Sequence, residues 1–233
     1  MSRAGFLFLI FIFAFCLSAP GQEHGGYSYV LRGEVYADLE PIYAGFVDEE
    51  YPLSASAASR RALEEAALFY SAMIYGWSFR YEIGEKARQI DEHMELVPVA
   101  EIPFGDPGLT ATDTEVKEMR LRLWTDYNLS DAQQRRIQVW RSGTIRNAQG
   151  IGYAPAVFME NPGWLAPKKT ALEDAARAAL RSMLRGSERN RPKEAAGFIS
   201  LASFPRYYIE SGRWAVSARF RVQVSEIIPY AVY

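Results

Sequence analysis

The sequence predicts an α+β protein with an antiparallel sheet of about six to eight strands and two main amphipathic helices on one of its faces. Several segments alternate apolar and polar residues with a period of two, as a half-buried antiparallel strand does. Two other segments carry an apolar stripe at helical spacing. Glycines and turn-forming residues separate the two kinds of segment, which favours packed layers of helix and sheet.

The strands are predicted from alternation. It is clearest in residues 77–83, 118–125 and 214–227. In the last of these, Arg219 and Arg221 lie on the polar side. Further extended segments are predicted over residues 27–39, 95–102, 198–204 and 207–210. Pro98 and Pro103 limit the segment 95–102 to an edge strand. Ser211-Gly212 predicts a hairpin turn before the last strand.

We predict a first helix that begins at Ser56 or Ser59, either of which could cap it, and runs to about residue 75. The second helix is predicted over residues 171–185. Thr170 and Glu173 match the capping box, in which a hydroxyl and a carboxylate satisfy free amides of the first turn. The charged residues of the first helix, Glu65 among them, fall mainly on the side opposite its apolar stripe and are expected to face solvent.

The remaining segments predict less regular structure. Residues 104–114 read as a loop, and residues 130–141 fit either a helix or a strand. The glycine- and proline-rich stretch 142–167 is expected to be mostly connection, with a short strand near 156–159. Within it, Gly150-Ile-Gly152 is too short a glycine motif to indicate a nucleotide site.

The length after the leader predicts a single domain over residues 22–233. Residues 60–67 resemble residues 169–176, and each stretch precedes a glycine and aromatic-rich strands. This raises the possibility of duplicated strand-helix-strand halves, about 27–125 and 156–228. The alternative is two ordinary amphipathic helices packed on one sheet.

Residues 1–21 predict a signal peptide. Arg3 precedes an apolar run over residues 6–17, and small residues follow it. The run is shorter than the about 20 residues that span a membrane. We therefore expect an exported protein, periplasmic or extracellular, that is membrane-associated only through a retained signal anchor or a lipid.

Cys16 is the only cysteine, and it lies within the predicted leader. Removal of the leader would leave no thiol for a disulfide, a thiolate metal site or a cysteine nucleophile. Lipidation of Cys16 is the alternative, although the preceding Phe15 departs from the small residue of a lipobox. In that case the protein would be a membrane-anchored lipoprotein.

The charge balance argues against a nucleic-acid partner. The net charge is −2, so no extended basic field is expected. Fourteen tyrosines all follow the leader. Tyrosine suits binding faces that are partly apolar and partly hydrogen-bonding, and it also suits strands.

Three arginines form the strongest local basic patch. Arg177, Arg181 and Arg185 lie on one face of the second helix at i, i+4 and i+8. They could bind anionic groups such as those of lipids or glycans. The alternative is the solvated face of an amphipathic helix.

The densest acidic cluster is Asp48, Glu49 and Glu50. Carboxylates could catalyse glycoside hydrolysis or bind calcium, but adjacent residues on one loop do not fix the required separation. A solvated loop is the alternative. His93 lies among acidic residues without a second histidine near it, which favours a solvated charged loop over a metal site.

No sequence motif for nucleophilic, phosphate-binding or zinc chemistry is present, so we predict neither a cofactor nor a metal. The leading hypothesis is an exported, non-enzymatic binding or envelope-assembly protein, with an unknown envelope protein or glycan as partner. The alternative enzyme hypothesis is a hydrolase that acts on envelope polymers through loop carboxylates.

Overall fold

The computed structural model describes residues 29–40, 51–84, 89–155, 163–187 and 192–229. These residues form three helices and nine strands in two antiparallel sheets, which confirms the predicted α+β class. In chain order the elements are β1 (Val30–Asp38), α1 (Ala55–Ile74), β2 (Trp77–Glu82), β3 (His93–Pro98), β4 (Leu109–Lys117), β5 (Arg120–Asn128), α2 (Asp131–Val139), β6 (Arg146–Pro155), α3 (Ala166–Ser187), β7 (Pro192–Leu201), β8 (Arg206–Glu210) and β9 (Arg213–Pro229).

The smaller sheet has the strand order β1-β5-β4. Alternate side chains of β1 and β5 are buried against α1, among them Val35, Leu121 and Leu123. Ser54 caps α1 by accepting a hydrogen bond from the Ala57 amide, whereas the predicted caps Ser56 and Ser59 lie inside the helix. Small residues on the buried side of α1 let the helix approach the sheet closely.

The larger sheet has the order β3-β2-β7-β9-β6, and β8 also pairs with β9. Helix α3 covers one face of it, where Leu172, Ala175 and Leu180 share a core with Phe220 and Val222 of β9. β3 lies at the edge of this sheet, as its prolines predicted.

A long hairpin forms the centre of the larger sheet. β7 and β8 lie on the same side of β9, and each pairs with it in an antiparallel orientation. The turn at Ser211-Gly212 is confirmed, since both residues have positive φ as a type I′ turn requires. Between β7 and β8 the strand is interrupted over residues 202–205, and Phe204 packs there against Phe69 and Tyr70 of α1.

Two of the sequence predictions for strands were wrong. Residues 109–114, expected to be loop, belong to β4, whose side chains are exposed almost throughout and therefore carry no alternation. Residues 146–155, expected to be connection, form β6. Its glycines obscure the strand pattern because Gly150 and Gly152 lie directly under the backbone of α3.

The helix boundaries also differ from the sequence predictions. The ambiguous segment 130–141 contains a helix, α2, with a capping box between Ser130 and Gln133. Helix α3 begins at Ala166, so the predicted capping box at Thr170 and Glu173 lies inside the helix and does not cap it. The predicted short strand 156–159 lies outside the described residues, and the proposed duplication stays a prediction.

Candidate functional site

The side of the larger sheet that faces away from α3 is accessible around β9. Alternation places Val216, Ala218, Phe220 and Val222 in the core against α3. The opposite side of the strand carries Ala215, Ser217, Arg219 and Arg221, and we call these residues, with their register partners in β6 and β8, the open face.

Arg219 and Arg221 lie next to each other on the open face, about 7 Å apart along the strand. Their register partners in β6 are Gln149 and Asn147. Together with Ser203, these side chains line a groove of about 520 Å³. The groove is bounded by the interruption between β7 and β8, where residues 202–203 belong to neither strand and line the groove.

Both arginines contact only neutral acceptors among the described residues. Arg219 Nη2 donates to Ser203 Oγ at 3.4 Å, and Arg221 Nη2 donates to the Ala202 carbonyl at 3.5 Å. Both distances are long for hydrogen bonds. No carboxylate of the described chain forms a salt bridge with either guanidinium.

The environment of Arg221 is electrostatically unfavourable for a cation. Partial burial lowers the pKa of its guanidinium, and the neighbouring Arg141 lowers it further. Arg141 itself donates to the hydroxyl of Tyr29 at 2.7 Å, a neutral partner. An anion in the groove would relieve this repulsion and would supply the acceptors that the guanidinium groups lack.

A second groove, of about 660 Å³, lies on the smaller sheet and has a different charge. It contains Arg32 with the carboxylates of Glu34, Asp113 and Asp126. Among the described residues, Arg32 is the one basic residue that lines this groove, and its Nε lies 3.5 Å from Asp126 Oδ2. The cation of this groove therefore already has an anionic partner. The groove on the open face is therefore the better candidate for an anionic ligand.

The most unusual buried group is Lys168, near the start of α3. Its ammonium donates to both carboxylate oxygens of Glu65 in α1, at 2.8 and 2.7 Å. The two side chains are only 6% and 4% exposed. Four aromatic rings have centroids 5.0–5.7 Å from Lys168 Nζ, and they belong to Tyr36, Trp164, Tyr207 and Trp214.

Burial dominates the electrostatics of this cluster. It raises the pKa of Glu65, against the opposing effect of Lys168, and it raises the pKa of Tyr36 to about 12. The pKa of Tyr207 also rises because of burial, with Glu65 and Tyr36 adding to the effect. The ammonium and carboxylate satisfy each other and are enclosed by rings, so we interpret the cluster as an internal link between α1 and α3.

The expected exposure of Glu65 was therefore wrong. Glu65 is 3% exposed, because it lies on the flank of α1 that meets Lys168. Sequence periodicity could not indicate this contact, since the two residues are separated by 103 positions.

The predicted arginine patch on α3 is half-buried and paired with carboxylates. Arg177 Nη1 lies 3.3 Å from Asp174 Oδ1, and Arg181 Nε donates to both oxygens of Glu92 at 3.0 and 3.1 Å. The side chain of Arg185 lies outside the described part of the chain. Anion binding at this patch stays a prediction, but any anion would compete there with carboxylates already bound.

The predicted acidic cluster Asp48, Glu49 and Glu50 also lies outside the described residues. His93 is exposed, but it begins the edge strand β3, so its predicted position in a loop was wrong. Within the described ranges, no group of three or more histidine, cysteine, aspartate or glutamate side chains could hold a metal ion. The described helices include none that is long and apolar enough to cross a membrane.

Sequence reasoning placed Arg219 and Arg221 on the polar side of the last strand but did not single them out. Alternating arginines on an antiparallel strand are ordinary surface residues unless the neighbouring strands supply no carboxylates. Whether the neighbouring strands supply carboxylates depends on the register of β9 with β6 and on the interruption between β7 and β8. The alternation itself was the only available signal.

Comparison with known proteins assigns the chain to a family. A family model matches residues 19–230. The chain belongs to this family, whose function is unknown. The chain is also similar to an uncharacterised protein of Treponema pallidum (strain Nichols), with 26% identity over 223 residues that cover 89% of this chain and 92% of the relative. No solved structure matches the chain significantly.

Proposed function

We propose that the protein is an exported binding protein that holds an anionic ligand on its open face. The observation that carries the proposal is the pair Arg219 and Arg221, adjacent on one strand and bonded only to neutral acceptors among the described residues. Most other arginines and lysines with a described partner have a carboxylate.

The two guanidinium groups suit an anion for physical reasons. Each is a planar fork of donors that matches carboxylate or phosphate geometry, and hydrogen bonds between charged groups are stronger than neutral ones. The backbone of β9 is paired on both sides over residues 213–217 and 220–222, which fixes the spacing of these arginines before a ligand arrives. Little ordering of the backbone would then oppose binding.

Export is the second part of the proposal. It is supported by the apolar leader over residues 1–21. The family match begins at residue 19, so the part of the chain shared with the family leaves nearly all of this leader out. A binding protein with this address would meet envelope polymers, many of which are anionic.

The experiment uses poly-L-glutamate as a simple polyanion and titration calorimetry as the readout. The variant R219Q/R221Q removes the two cations that line the groove and keeps side chains of similar length. We expect its affinity to fall at least about tenfold, since each charge-assisted hydrogen bond contributes about 1.5–3 kcal/mol.

The matched control is R177Q/R181Q, which removes the same charge from the arginine patch on α3. Because those arginines already bind Asp174 and Glu92, their loss should change affinity less than about twofold. Equal binding by R219Q/R221Q and the wild type would refute the proposed site. Loss of binding only in R177Q/R181Q would place the site on α3. Export is tested separately by fractionating cells and sequencing the N-terminus of the protein, and an uncleaved chain found only in the cytoplasmic fraction would refute it.

A further inference from the structure

Two tyrosines lie beside the arginines on the open face. Ala215 of β9 pairs with Tyr153 of β6 on one side and with Tyr208 of β8 on the other. Directly paired residues of an antiparallel sheet project from the same face, so both rings stand on the open face and flank a methyl group. Ala215 is fully buried although it belongs to neither core, whereas Tyr208 is 40% exposed.

The two rings are held differently. The Arg213 guanidinium lies 4.7 Å from the centroid of Tyr153. A hydrogen bond with Glu210 raises the pKa of the Tyr153 phenol. Tyr153 is thus held by its neighbours Arg213 and Glu210, which carry opposite charges and pair in register. Tyr208 has no ring or guanidinium partner among the described contacts and offers an exposed aromatic surface.

The tyrosines and the arginines form one continuous surface. Ser217 separates the two sets, and its partners are Ile151 of β6, which is 49% exposed, and Arg206 of β8. From Ala215 to Arg219 the strand advances about 14 Å. One end of the surface therefore carries the two aromatic rings, and the other carries two arginines with the amides of Gln149 and Asn147.

This combination discriminates between classes of anionic polymer. β9 lies inside the sheet, with β6 on one side and β7 or β8 on the other, so a ligand that lies over its arginines meets side chains and not a free strand edge. An extended peptide could add as a strand at β6, the last strand in the order, but it would then lie beside the arginines and not over them. Sugar rings present apolar C–H surfaces that pack on aromatic faces, and their hydroxyl groups bond to amide and guanidinium side chains.

We infer that the ligand is an acidic glycan, whose sugar rings pack on Tyr208 and Tyr153 and whose acid groups pair with Arg219 and Arg221. This inference rests on the proposed function, because it assigns a ligand class to the same face. The tyrosines supply the preference for sugar, and the arginines supply the affinity for negative charge.

The test compares three polyanions of matched charge number: polygalacturonate, poly-L-glutamate and an oligothymidylate. The first two share the carboxylate but differ in backbone. We expect the full-length mature protein to bind polygalacturonate about tenfold more tightly than poly-L-glutamate, a preference on the scale of an aromatic contact. The oligothymidylate, which can also stack on tyrosine, should bind no better than poly-L-glutamate.

Two variants assign the preference to Tyr208. Y208A should bind poly-L-glutamate like the wild type and should lose most of the tenfold preference. Y208L keeps apolar bulk on the strand without a ring and should lose the preference as well. F104A is the control, because Phe104 is 53% exposed and is not part of the open face: it lies between β3 and β4, and its ring contacts Arg60 of α1. This variant should keep the preference.

The outcomes separate this inference from the proposed function. If R219Q/R221Q binds both carboxylate polymers as the wild type does, the proposed site is wrong. If that variant loses both polymers but the wild type binds them equally, only the glycan assignment fails. Tighter binding of the oligothymidylate than of polygalacturonate would also overturn the glycan assignment, as would a preference that Y208A and Y208L both retain.

Discussion

Lys168 of α3 and Glu65 of α1 form a buried ion pair in which both carboxylate oxygens accept from one ammonium. The pair joins the helix that covers the smaller sheet to the helix that covers the larger one. A buried pair of this kind costs desolvation free energy that its mutual attraction roughly repays. Its main effect is therefore to select one arrangement of the two helices, and the open face lies on the other side of the sheet that this arrangement supports.

The first prediction concerns the cost of breaking this pair. Lys168→Met or Glu65→Leu alone leaves one charge buried without a partner, and each should lower the free energy of unfolding by about 3–5 kcal/mol. The double variant should be less destabilised than the sum of the two, since it leaves no unpaired charge. Urea unfolding measures all three.

The neighbouring Lys169 provides the control for the ion pair. Its ammonium lies 3.6 Å from Glu101, and the two side chains are 40% and 65% exposed. Lys169→Met should cost less than about 1 kcal/mol, as exposed pairs do. Strict additivity of the Lys168 and Glu65 substitutions would contradict the account of the buried pair.

The second prediction concerns alkaline pH. Burial raises the pKa of Tyr36 and of Tyr70 from 10.0 to about 12. Below pH 10 both phenols are protonated in the folded and unfolded states, so their contribution to stability is fully present. Between pH 10 and 12 the unfolded chain loses these protons first, and stability falls as pH rises. Urea midpoints across this range should decrease steadily.

Tyr70→Phe isolates one of these contributions. Tyr70 is fully buried. The substitution removes the Tyr70 phenol. Between pH 10 and 12 the free energy of unfolding should then fall less steeply with pH, by up to about 1.4 kcal/mol per pH unit. If the native phenolate absorbance titrates entirely near pH 10, or if the variant keeps the full slope, burial does not protect this phenol.

The third prediction tests the contact between β6 and α3. A Cβ at Gly152 would overlap the backbone of Ala171 and Ala175, which cannot move without displacing the helix. Gly152→Ala should destabilise the protein by about 3 kcal/mol, as an overpacked core does. Gly143→Ala is the matched control, since a Cβ there meets nothing within 4 Å. Thermal unfolding that does not distinguish Gly152→Ala from the wild type would contradict the packing of α3 on β6.

Much of the fold follows from local pattern. Strands with one buried face, such as β2 and β9, were predicted because burial imposes alternation on their sequences. β4 is exposed on both sides, and β6 uses glycines where the helix approaches, so neither carries that signal. The two-residue turn before β9 was predicted because its geometry demands particular residues.

The candidate site depends mainly on long-range pairing. Alternation alone indicated that Arg219 and Arg221 share a side of β9. The groove also needs the strand break at Ser203 and the register with β6, which pairs residues 70 and 74 positions apart in sequence. Glu92, the carboxylate partner of Arg181, lies 89 positions away in sequence, so the sequence alone could not distinguish the paired Arg181 from the arginines of β9.

The most direct test of the central claim is an NMR titration of isotope-labelled mature protein with a galacturonate oligomer. We expect the amide resonances of residues 147–149, 203 and 217–221 to shift together on addition of the oligomer, and R219Q/R221Q to abolish these shifts. Shifts confined to residues 177–185 of α3, with β9 unchanged, would contradict the assignment of the ligand to the open face.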